Sequence, residues 1–158
     1  MYEILSESIY PLLVSGQPER YANIKGGPDY PHIEGMVLFY RFRRGTIVVA
    51  DIAGLPDNGS GVYGFHIHEG KACTGNSTDA FADAGMHLNP YGKEHPLHMG
   101  DMPVLFGNNG AAWGAFFTER FLPGEVAGHT VIIHDMPDDF KSQPSGDSGM
   151  KIACGVIY

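Results

Sequence analysis

The chain has 158 residues, a formal net charge of −8 and 43% apolar residues. That length supports one domain with a real core and is too short for two. The charge argues against nucleic acid as a partner, and no run approaches the about 20 apolar residues of a membrane span.

The N-terminus, "MYEILSESIYPLLVSGQPER", carries no basic leader and no apolar run of signal length, so the chain reads as cytoplasmic. Replacement of a leader by Met1 leaves an exported form open. Residues 1–20 read as an N-terminal extension and residues 21–158 as the domain. Only residues 4–14 look able to start a helix, and Pro11 interrupts that pattern. Strand-like segments then follow in order: "YANIKGG", "HIEGMVLFYRF", "TIVVADIAGL", "VYGFHIHE", "AAWGAFFTERF", "HTVIIHD" and "KIACGVIY". They are rich in Val, Ile, Phe and Tyr, with partial alternation, and turn signals such as "RRG", "LPDNGSG", "GNNG" and "LPGE" separate them. Many short strands at this spacing predict an all-β sandwich or barrel. Residues 70–102 and 135–150 resist the strand reading, and loops this long in a compact domain are usually functional. Within "VYGFHIHE", Gly64 marks a point where other atoms approach closely.

Five of the eight histidines lie between His66 and His98. Residues i and i+2 of a strand share a face, so His66 and His68 would present both imidazoles together. A lone His-x-His is weak evidence of a metal. The long loop changes the odds, because "GMHLNPYGKEHPLHMGDMP" adds His87, His95, His98 and Asp101. Neutral imidazoles with one carboxylate suit zinc, and turns with Pro and Gly can fold the short spacings onto one centre. His134 stands at the end of a strand-like segment. His32 and His129 have no companions and read as structural. HEXXH is absent, which argues against a zincin protease, and a metal hydrolase fits the pattern poorly. Cys73 and Cys154 read by composition as two buried thiols. A bridge between them would close a loop of about 80 residues, worth roughly 4 to 5 kcal/mol.

Together, "GFHIHE", "GMHLNP", "HPLHMGD", "VIIHDMPDD" and "GDSGMKIACGVI" resemble the copper/zinc superoxide dismutase family, in order, over residues 22–158. The resemblance implies an eight-stranded Greek-key β-barrel or sandwich, immunoglobulin-like, with two long functional loops. It implies copper held by His66, His68, His87 and His134, and zinc held by His87, His95, His98 and Asp101, with His87 as the bridge. Asp138 would hydrogen-bond one histidine of each site. The resemblance also implies a Cys73–Cys154 disulfide, against the compositional reading of free thiols. The implied reaction converts superoxide to dioxygen and hydrogen peroxide by copper cycling, with no nucleic acid or membrane partner.

Departures from the family pattern are informative. Lys151 stands where the family usually has an arginine that guides and docks the anion. Lysine keeps the charge but lacks the planar fork of donors, which predicts slower catalysis or weaker anion binding. The loop after His134 carries Lys141 and Lys151 among several acids, so its steering field is expected to be weak. The segment between Cys73 and His87 is longer than in many relatives. That region often contributes to dimer contacts, so a homodimer does not transfer automatically. The alternative function is a catalytically weak relative that binds zinc or copper.

Overall fold

The computed structural model describes residues 9–158. A short helix, α1 (Ile9–Ser15), precedes nine strands. These are β1 (Arg20–Gly26), β2 (Glu34–Phe42), β3 (Gly45–Ala53), β4 (Val62–Tyr63), β5 (Phe65–His68), β6 (Leu105–Phe106), β7 (Ala112–Thr118), β8 (Thr130–His134) and β9 (Lys151–Val156). Each segment expected to be a strand forms one. Nine arise from seven because Gly64 divides "VYGFHIHE" in two and β6 adds a short strand that the sequence reading did not anticipate. Pro11 does not break α1; it sits at the third residue, in the first described turn, where a missing N–H costs little. The rest of that helix expectation, residues 4–8, lies outside the described residues.

Seven strands form one antiparallel sheet in the order β5-β8-β9-β1-β2-β3-β7, and β4 pairs with β6 beside it. The chain runs from β7 at one edge to β8 near the other, the crossover expected of a Greek key. Phe65 and Ile67 of edge strand β5 share one core cluster with Ala112 of the opposite edge strand, so the sheet curls around a common interior. Alternation decides which side chains enter it. In β2, Val37 and Phe39 point in, while Tyr40 packs on the outer face with Ile47 and Val49 against Leu12 and Leu13 of α1. No helix among the described residues is long and apolar enough to cross a membrane.

The same alternation places the histidines outside the barrel. In β5 the core takes Phe65 and Ile67, so His66 and His68 occupy the other face. In β8 the core takes Val131 and Ile133, which leaves Ile132 and His134 on that outer face. A register shift against β9 falls between Ile133 and His134 and sets the latter's position at the strand end.

Candidate metal centre

The free edge of β5 is covered by the long loop rather than by another strand. Glu69 N–H donates to Met86 O, Leu88 N–H to Ile67 O and Ile67 N–H to Gly100 O, at 2.8, 2.8 and 2.9 Å. Gly100 is required for this approach, since a Cβ there would lie 2.1 Å from Ile67 O. These bonds bring His87 beside His68 and Asp101 beside His66.

Two groups of buried ligating side chains result. His66, His68, His87 and His134 form one; His87, His95, His98 and Asp101 form the other. Within each, the candidate ligand atoms all lie within 4.8 Å of one another. His87 belongs to both, through opposite ring nitrogens. Its Nδ1 lies 2.7 Å from Asp101 Oδ1 and 3.4 Å from His98 Nδ1, in the second group. Its Nε2 is buried without a hydrogen-bond partner, as are His66 Nδ1 and His95 Nδ1. In the first group, His68 Nε2 and His134 Nε2 face each other at 3.3 Å.

The remaining ring nitrogens are tied down. His66 Nε2 donates to Asp138 Oδ2 at 2.6 Å, and His95 Nε2 donates to Asp138 Oδ1 at 2.9 Å. His68 Nδ1 donates to Gly85 O at 2.8 Å, and His134 Nδ1 to Gly149 O at 3.3 Å. Each bond fixes a tautomer and aims the other nitrogen at its group. Burial holds His66 and His68 well below the ordinary imidazole value and lowers His134 to about 4. All three are therefore neutral at pH 7, the form that binds a metal. Burial alone would raise Asp101, but the hydrogen bond from His87 and further donors leave its carboxyl below the usual range.

Residues 33–157 match the sequence model of the family described as copper/zinc superoxide dismutase. The chain belongs to the copper/zinc superoxide dismutase family. It is 36% identical, over 85% of its length and 87% of the relative's, to "Superoxide dismutase [Cu-Zn] 2" of Aquifex aeolicus (strain VF5). A second protein of that bacterium, "Superoxide dismutase [Cu-Zn] 1", is 31% identical over 72% of this chain and 73% of its own. "Extracellular superoxide dismutase [Cu-Zn]" of Onchocerca volvulus is 30% identical over 79% of this chain and 69% of its own.

In this member of the copper/zinc superoxide dismutase family, a cleft of about 510 Å³ reaches the first group, lined by His68, His87 and His134 but not by His95, His98 or Asp101. The cleft thus reaches the first group and not the second, although the side chains of both are buried. Lys151 lines the cleft; Lys141 does not. His129 donates from Nδ1 to Glu69 O at 2.8 Å, apart from both groups, and His32 is exposed. Cys73 and Cys154 are disulfide-bonded, which corrects the free-thiol reading drawn from composition.

Sequence reasoning missed the residues that brace the loops. Arg120 Nη1 donates to the carbonyls of Pro96, His98 and Asp101, pinning the loop that carries the second group. The Gln143 side chain accepts from His95 N–H at 3.0 Å and donates to His95 O at 2.7 Å, joining the two long loops. Asp79 holds Lys151 rather than a histidine, its Oδ2 accepting from Lys151 Nζ at 2.6 Å. None of these contacts leaves a periodic or local signal in the sequence.

Proposed function

We propose that this protein is a copper/zinc superoxide dismutase, converting two superoxide anions and two protons to dioxygen and hydrogen peroxide. One observation carries the reading: a single buried imidazole, His87, serves two separate ligand groups, of which only one opens to the cleft. The donor sets fit the metals. Four imidazoles suit copper, which tops the affinity order at nitrogen sites, and three imidazoles with a carboxylate suit zinc. The nitrogens His66 Nδ1, His87 Nε2 and His95 Nδ1 accept and donate no hydrogen bond and each belongs to one of these sets, His95 Nδ1 standing 3.1 Å from its fellow candidate ligand Asp101 Oδ2. A buried polar atom without a partner is costly, so a bound ion accounts for them.

His66, His68, His87 and His134 would hold copper, and His87, His95, His98 and Asp101 zinc. Copper there supplies a one-electron couple, and zinc a fixed charge without redox chemistry. The chain does the rest. Asp138 locks His66 and His95 in one geometry and so couples the two sets mechanically. His87 Nε2, on the cleft side, is the atom positioned to hold and pass a proton toward peroxide. Lys151 supplies the cation that a small anion meets in the cleft.

Elemental analysis and superoxide turnover of natively purified protein test this together. Equal copper and zinc, with turnover that His134→Ala abolishes, is the expected result. Fully metallated protein without turnover would overturn it in favour of a metal-binding relative.

A further inference from the structure

Resting on that reading, we infer that Asp79 is a positioning residue for the anion-binding cation: it aims Lys151 and attenuates its pull on superoxide. Lys151 Nζ lies 2.6 Å from Asp79 Oδ2 and 3.2 Å from Phe81 O. An ammonium has three donors, so two are committed and one is left for an anion. The pair sits in the wall of the cleft, which both residues line with His87 and His134. The Lys151 side chain is 15% exposed and that of Asp79 38%.

The carboxylate is itself held in place. Its other oxygen, Oδ1, accepts from Phe81 N–H at 2.9 Å, while Asp79 N–H donates to Asn76 Oδ1 at 3.0 Å. Asn76 N–H returns a bond to Asp79 O at 2.9 Å, closing a tight turn. That turn belongs to the segment that Cys73 ties to Cys154, three positions along β9 from Lys151. Both partners are therefore mounted on elements joined by one covalent link. An approaching monoanion meets a cation already facing a carboxylate, and must compete with Asp79 for Lys151.

The test compares Asp79→Asn with the unaltered protein by two readouts. The first is acylation of Lys151 by a water-soluble amine reagent, mapped by mass spectrometry on metal-free and metal-loaded protein. The second is the azide affinity of the copper- and zinc-loaded protein. Asp79→Asn should make Lys151 severalfold more reactive. It should also tighten azide by about threefold at low salt, the effect of deleting one charge about 7 Å away in a water-like medium. That gain should shrink as salt rises. Asp79→Glu, which keeps the charge, should restore the protection of Lys151. Unchanged acylation, or unchanged azide affinity, overturns the inference. Loss of turnover in the unaltered protein instead counts against the proposed function, because the acylation readout needs neither metal nor superoxide.

Discussion

Asp138 is one carboxylate that answers to two imidazoles, and its own placement depends on the residue after it. Phe140 N–H donates to Asp138 Oδ1 at 2.7 Å, and Gly146 leaves no room for a side chain, since a Cβ there would lie 2.0 Å from that oxygen. The turn that delivers these contacts is capped by Asp139, which accepts from the Ser142 hydroxyl, Ser142 N–H and Lys141 N–H. Those donors, the Ser142 hydroxyl first, lower the Asp139 carboxyl to about 2. A carboxylate depressed in the folded state contributes stability that is present above its unfolded value near 3.8. That stability is lost as pH falls through about 2. Nuclear magnetic resonance titration of the Asp139 carboxyl should therefore show a midpoint near 2. Ser142→Ala should move it upward, toward the ordinary value. A midpoint already ordinary in the unaltered protein would mean that the cap is not formed in solution.

At the scale of elements, the junction of β4 and β5 decides where the histidines stand. Gly64 N–H donates to Met136 O, and His134 N–H donates to Gly64 O, at 2.8 and 2.9 Å. A Cβ on Gly64 would lie 2.8 Å from the Ser148 Cβ and 3.2 Å from that of His134. Gly64→Ala must displace Ser148, shift His134 or push the strand off β8, at a cost of about 1 to 3 kcal/mol for overpacking. Chemical denaturation of the metal-free protein should show that loss, and copper titration a weaker affinity. Stability and affinity both unchanged would show that the loop around Ser148 yields freely. The close approach at Gly64 was legible in the sequence, as were the strands, because β-branched alternation is a local signal. The histidine pair was legible for the same reason: Ile67 faces the core, so its neighbours His66 and His68 share the opposite face. The division into β4 and β5 was not legible, nor was β6, where two residues offer no pattern to read. Asp79 and Lys151 meet across 72 positions, and Asp79 lies in a loop without periodicity, so only the fold could join them.

Over the whole molecule, a chain of net charge −8 must accept an anion, so what counts is how its few cations near the cleft are arranged. That arrangement rests on one covalent tie. The Cys73–Cys154 disulfide spans 81 positions, and Cys154 packs with Phe81, Ala84 and Ile132 in a small apolar cluster beneath the cleft wall. Constraint of the unfolded chain over such a loop is worth about 4.5 kcal/mol in the entropy model. For a domain of this size that corresponds to a Tm lower by about 10 to 15 °C once the bond is removed. Cys73→Ser with Cys154→Ser should show that fall in the metal-free protein by calorimetry. The same variant should also leave Lys151 more open to acylation, because the segment carrying Asp79 loses its anchor to β9. A large drop in Tm with Lys151 still protected would mean that the cluster around Phe81 seats the segment without the bond. An unchanged Tm would mean that constraint of the unfolded chain by the disulfide contributes no net stability.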